Sequence, residues 1–197
     1  MLIKKASVII LAALLPLSAQ AAAWRVEQTL NGDLNGDGIA DRVTVERLSD
    51  TAPRRLTVAL SQEGRLKNVA RTTDLLPPKT DAENNCLQDP LEDGEVAVRK
   101  GVLRVKLNYW FDCGTYSTYI KQYVFRWDGK GMRLIGEDEE NFNRASGEKS
   151  SYSINYSTGK RRDISGANEF DAKANRPKTV WRTLPPQPAY YLGGKMP

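Results

Sequence analysis

The chain has no histidine and only two cysteines in 197 residues. Without histidine there is no Ser-His-Asp or Cys-His catalytic set. Zinc sites built on imidazole or on four thiolates are excluded by the same counts. Charge of one sign is also scarce: 29 Lys and Arg stand against 24 Asp and Glu, a formal +5. Basic residues are spread along the chain, with Lys160-Arg161-Arg162 the densest cluster, so no nucleic-acid partner is expected. The longest apolar stretch, Ala6 to Leu17, falls short of the ~20 residues that a membrane-spanning helix needs. No apolar stripe of helical period runs for about twelve residues or more. What remains, 40% apolar and 27% charged, is the balance of an ordinary soluble globular protein.

The apolar stretch follows Lys4 and Lys5 and ends at Ala19-Gln20-Ala21, a small-x-small pattern that signal peptidase reads. Residues 1–21 are therefore expected to be a signal peptide, with no membrane span left after cleavage. Export to the periplasm is the expected localisation. In that oxidising setting Cys86 and Cys113 are each other's only candidates and are expected to pair, worth roughly 3–4 kcal/mol for a loop of that span. A reactive thiol is the alternative, but Asp112 raises rather than lowers the pKa of its neighbour Cys113.

The remaining patterns are those of strands. Trp24, Val26 and Leu30 share one face of a period-two segment, and Val43 and Val45 do so in the next. Leu56, Val58 and Leu60 alternate with Thr57 and Ala59. Val96 and Val98, a turn at Lys100-Gly101, then Leu103, Val105, Leu107 and Tyr109 read as a hairpin. Tyr119, Tyr123, Phe125 and Trp127 form one strand face, Asp128 to Gly131 the turn, and Met132 and Leu134 the return. Tyr152, Ile154 and Tyr156 turn at Ser157-Thr158-Gly159 and return to Ile164, and Thr179 to Thr183 adds a last strand with Val180 or Trp181 inward. The expectation is an all-β, single domain over residues 22–184, an antiparallel meander of about eight to ten strands forming a sandwich, barrel or curved sheet. Residues 77–94 and 165–178 are expected to be irregular linkers, and residues 185–197, with their prolines, an irregular tail.

One segment carries a chemical motif. Residues 33–41 read Asp-Leu-Asn-Gly-Asp-Gly-Ile-Ala-Asp. Asp33, Asn35, Asp37 and Asp41 fall at odd positions of a tight loop, and Gly36 and Gly38 let the backbone curl so that they converge. Ile39 is expected to offer its carbonyl oxygen while its side chain plugs into the core. Such an all-oxygen shell suits Ca²⁺, a hard and geometrically tolerant cation, rather than a transition metal. The alternative is an acidic, glycine-rich hairpin turn without an ion. Position twelve of the loop is Thr44 rather than a bidentate Glu, so affinity is expected in the weak extracellular range of ~10⁻⁴–10⁻³ M.

Gly32 to Asp41, followed by Arg42-Val43-Thr44-Val45, resembles the calcium loop of FG-GAP/VCBS repeats in integrin-type β-propellers. The resemblance implies that the loop joins two strands, that its calcium is structural, and that Asp33, Asn35, Asp37, Ile39 (through its carbonyl) and Asp41 are the ligands. One copy is present, whereas a propeller needs at least ~4 blades. A single such element built into a smaller β domain is implied.

Three further features carry two readings each. Glu137-Asp138-Glu139-Glu140 is expected as a solvated loop; the alternative is a carboxylate pair for glycoside hydrolysis. Tyr109-Trp110-Phe111 with Tyr116, Tyr119, Tyr123 and Trp127 is expected as sheet packing, and alternatively as a platform for a glycan or a protein partner. Lys160-Arg161-Arg162 reads as a solvated edge that discourages aggregation, or as a contact for an acidic partner or cell-wall polymer. Together these features point to a non-catalytic, calcium-stabilised binding, inhibitor or immunity-type module of the cell envelope. The alternative is a carboxylate-based hydrolase of envelope glycans.

Overall fold

Period-two alternation underlies most of the eleven strands, which are joined by nine antiparallel pairings. The computed structural model describes residues 23–81, 83 and 86–197; the leader expected over 1–21 lies outside them. The strands are β1 (Arg25–Gly32), β2 (Asp41–Arg47), β3 (Arg54–Gln62), β4 (Arg65–Leu76), β5 (Glu95–Arg99) and β6 (Val102–Tyr109). They continue with β7 (Ser117–Trp127), β8 (Met132–Asn143), β9 (Glu148–Asn155), β10 (Lys160–Asn168) and β11 (Lys178–Thr183). Among the described residues there is no helix, and so none long and apolar enough to cross a membrane. The chain is all-β and antiparallel throughout, as its alternation predicts. β1 to β4 form one four-stranded sheet and β5 to β11 one seven-stranded sheet, both in sequence order.

The two sheets share one core. Val43, Val45, Leu56, Val58 and Leu60 from the first meet Val96, Leu103, Val105, Leu107, Phe125 and Leu134 from the second. Lys100 and Gly101 both take positive φ, 51° and 72°, the geometry a two-residue hairpin turn demands. The Asp128 carboxylate accepts from the amides of Lys130 and Gly131 and so closes the next turn. Cys86 and Cys113 are disulfide-bonded, tying the connection before β5 to the one after β6. An isolated bridge between Leu87 and Phe111 runs beside that bond.

The structure departs from the sequence expectation in four places. β4 is additional, because its residues Arg65 to Asn68 are exposed and show no apolar alternation. The acid run 137–140 is not a loop: it lies inside β8, and alternation sends Glu137 and Glu139 to one face and Asp138 and Glu140 to the other. The segment 165–178 is irregular only after Asn168, since β10 continues to that residue. Ile39 does not plug the core: it is 52% exposed, and Leu34, 3% exposed, fills that role. Gly38, at a φ of 80°, turns the chain outward just before Ile39. Residues 185–197 form no strand, in line with their prolines, yet they are docked. Leu192 is buried, its amide donates to the Met132 carbonyl, and the Leu134 amide donates to the Tyr190 carbonyl.

Candidate functional site

Residues 33–41 cross from β1 to β2 where β1 lies against β5 of the other sheet. A Cβ on Gly32 would stand 2.6 Å from Val98 Cγ1, so the loop's base requires glycine to sit this close to the second sheet. The Asp33 carboxylate accepts from the amides of Gly36 (2.6 Å) and Gly38 (2.9 Å). Those bonds hold its pKa below the usual carboxylate value, with Gly38 the larger influence, so it stays charged into acid. Asn35 Nδ2 donates to Asp37 Oδ2, and Asp37 Oδ1 accepts from the Ile39 amide. Asp41 is 1% exposed; its two oxygens accept from the amides of Leu34 and Ser61, each at 2.8 Å. That carboxylate thereby joins the loop to β3.

The side-chain oxygens of Asp33, Asn35 and Asp37 are engaged in bonds to the loop's own amides and side chains, and those of Asp41 bond the amides of Leu34 in the loop and Ser61 in β3. Among the described residues, no group of three or more His, Cys, Asp or Glu side chains is arranged so that it could hold a metal ion. The donor set is nevertheless of the kind calcium takes: all oxygen, three carboxylates, one amide and one peptide carbonyl. Each carboxylate oxygen carries a second lone pair, so the bonds described do not exhaust its capacity to accept.

The second candidate is the open face of the seven-stranded sheet. Register fixes its array. Leu103, Val105, Leu107 and Phe125 point to the core, so their neighbours in β6 and β7 point away from it. One rank across the sheet runs Lys106, Gln122, Asp138, Ser153, Arg162, Trp181; the next runs Asn108, Ile120, Glu140, Ser151, Ile164, Thr179. Two adjoining hollows lie on this face, of about 460 Å³ and 220 Å³, and share Ile120, Glu140 and Ser151. Trp110 and Phe142 wall the larger one. The Arg144 guanidinium lies 4.4 Å from the Trp110 ring centroid and donates to the carbonyls of Phe111 and Thr115, which fixes that wall.

The remaining features divide between the two faces. On the core face Glu137 is buried and accepts from Tyr152 (2.7 Å) and Tyr156 (2.8 Å), while Lys121 pairs with Glu139 at 3.2 Å. Burial first, then the bonds to Glu137, push both tyrosine hydroxyls well above their usual pKa. Tyr109 and Tyr119 stack at 4.4 Å beside them. Most of the aromatic concentration is therefore packing, as alternating strand aromatics predict, and Trp110 and Tyr119 are the members that line the larger hollow. Tyr116 is exposed and stands apart from this packing. Lys160-Arg161-Arg162 is split by alternation: Arg161 bonds Asp163 on the core face, and Lys160 and Arg162 reach the open one. A hollow built from five strands was not legible in the sequence, because only register brings its residues together. The chain matches no protein-family model, no curated protein and no solved structure.

Proposed function

We propose that the protein is a non-catalytic binding module of the bacterial cell envelope, exported to the periplasm and of the inhibitor or immunity type. Its partner is an envelope protein or glycan. A structural calcium ion in the 33–41 loop, together with the Cys86–Cys113 bond, stabilises its fold. Asp33, Asn35, Asp37, Asp41 and the Ile39 carbonyl are the ligands; the ion's contribution is a positive charge that lets the carboxylates sit close together without repulsion. The observation that carries the binding reading is the pair of joined hollows, walled by aromatic rings, on a sheet face that the other sheet leaves open. Loop ends at a sheet seam are a natural place for an ion whose role is to hold strands rather than to meet substrate.

A second reading rests on Asp138 and Glu140, which stand side by side on the floor of the smaller hollow. Two carboxylates are the minimum set for glycoside hydrolysis. One experiment separates the two. Mature protein mixed with insoluble envelope sacculi in calcium is expected to sediment with them and to release no soluble reducing ends. Protein that stays in the supernatant contradicts the binding module. Reducing ends that appear with the wild-type chain and vanish with Asp138→Asn establish the hydrolase instead.

A further inference from the structure

The modest overall charge of the chain conceals an uneven distribution on the open face. Arg104 and Lys106 from β6 lie along one side of it, and Lys160 and Arg162 from β10 along the other. Among the described residues none of these four has a carboxylate within ion-pair distance. Glu95 on β5 stands across from Lys106 but is paired with Arg99, while the pairs of Arg54 with Glu27 and Asp89 and of Arg55 with Glu46 belong to the first sheet and its connections. The two cationic columns are four strand spacings apart, roughly 19 Å at ~4.8 Å each. Between them, on β8, stand Asp138 and Glu140. Gln122 holds Asp138 Oδ2 at 3.1 Å. Asp138 Oδ1 and both Glu140 oxygens have no hydrogen-bond partner among the described residues.

This cation–acid–cation pattern selects a ligand. A uniform polyanion gains from the margins but meets two carboxylates in the middle, and like charges in a hollow repel. A neutral glycan can donate hydroxyls to Asp138 and Glu140 but makes no use of the unpaired cations. A ligand with both anionic groups and hydroxyl donors satisfies every part. Aromatic surface flanks the array as well: Trp110 walls the larger hollow, and Trp181, 65% exposed, ends the rank that holds Arg162. Aromatic faces pack against the apolar faces of sugar rings while polar groups at their rims take the hydroxyls.

We propose that the open face of β6 to β10 binds an acidic glycan, a saccharide chain carrying carboxylate groups. Arg104, Lys106, Lys160 and Arg162 take the anionic groups, and Asp138 and Glu140 accept from hydroxyls. The proposal rests on the binding-module reading and names its ligand class.

The test uses isothermal titration of the mature protein with three probes: tetragalacturonate, its fully methyl-esterified neutral counterpart, and inorganic polyphosphate of matched charge. Each titration is run in chelator as well as in calcium, so that calcium bridging of the ligand is excluded. Tetragalacturonate is expected to bind, with the ester at least about tenfold weaker and the affinity falling as salt rises. Lys106→Glu and Arg162→Glu are each expected to weaken it by about tenfold or more while leaving the melting temperature near that of the parent. Asp138→Ala with Glu140→Ala separates the chemistries: it removes both acceptors and both charges, so it should weaken tetragalacturonate, whose hydroxyls lose their partners, and strengthen polyphosphate, which carries no sugar hydroxyls and loses two repelling charges. The proposal is overturned if the ester binds as well as the acid, or if the acid variants tighten both anions alike. It is also overturned if no probe binds, an outcome that leaves sedimentation with sacculi as separate support for the module. Cleavage of bound tetragalacturonate would retain the site and overturn the non-catalytic reading.

Discussion

Replacing Arg54 with alanine is expected to cost about 3–5 kcal/mol of folding stability, the loss typical of removing one partner from a buried ion pair. At about 2–4 °C per kcal/mol for a chain of this size, the melting temperature falls by roughly 6–20 °C. Arg54 lies in β3 and is 3% exposed. Its Nε donates to Glu27 at 2.7 Å, one Nη to Asp89 at 2.6 Å and the other to the Pro77 carbonyl at 2.9 Å. Burial draws its pKa down, but the bonds to Asp89 and Glu27 outweigh that and leave it above the usual value. The guanidinium thus joins β1, β3 and both ends of the long connection 77–94. Alanine leaves Glu27 and Asp89 without their shared cation and Pro77 without its donor. Lysine keeps the charge but cannot reproduce the three-way fork, so Arg54→Lys is expected to fall between parent and alanine. A denaturant titration that finds less than about 1 kcal/mol for Arg54→Ala would mean that water, not the clamp, satisfies these groups.

The second large effect belongs to the disulfide. Exchanging Cys86 and Cys113 together for serine should cost about 3–4 kcal/mol in the chain-entropy model, given a sequence separation of 27. The backbone around the bond is already paired: the Gln88 amide donates to the Trp110 carbonyl at 3.0 Å and the Asp112 amide to the Cys86 carbonyl at 2.8 Å. Native geometry therefore persists in the variant, and the loss acts chiefly by freeing the unfolded chain. Because the bond sits next to Trp110, the same exchange should also loosen the wall of the larger hollow and weaken any ligand held there. Intact mass without reductant should lie two hydrogens below that of the reduced chain. Two free thiols in protein purified without reductant would contradict the pairing.

Local signals made most strands legible. Leu56, Val58 and Leu60, the Lys100-Gly101 turn and the Asp128 turn each state their structure within a few residues, and all three stand as expected. Features that depend on partners far along the chain were not legible. The acid run looks like a solvated loop until Lys121 from β7 and Tyr152 and Tyr156 from β9 and its turn are seen to satisfy Glu137 and Glu139. Arg54 reads as one more surface arginine because Glu27 and Asp89 are 27 and 35 residues away. Within the acidic loop, the alternation of oxygens was legible, but the choice of plug was not. Leu34 and Ile39 are both large aliphatic residues, and two residues of positive φ, Gly36 and Gly38, lie between them, so residue type alone does not show that Leu34 is the buried one. The open-face array is the least visible of all, since it takes five registers to assemble.

The proposed calcium site at residues 33–41 is the point on which the account of stability turns, and calorimetric titration of calcium into the protein after exhaustive chelation tests it most directly. One ion is expected to bind, with a dissociation constant of roughly 10⁻⁴–10⁻³ M. Asp37→Ala, which removes an exposed ligand and leaves the buried Asp41 staple in place, should abolish the heat and remove the rise in melting temperature that calcium gives the parent. A parent chain that takes up no calcium, or an Asp37→Ala variant that responds as the parent does, would show residues 33–41 to be an acidic turn without an ion.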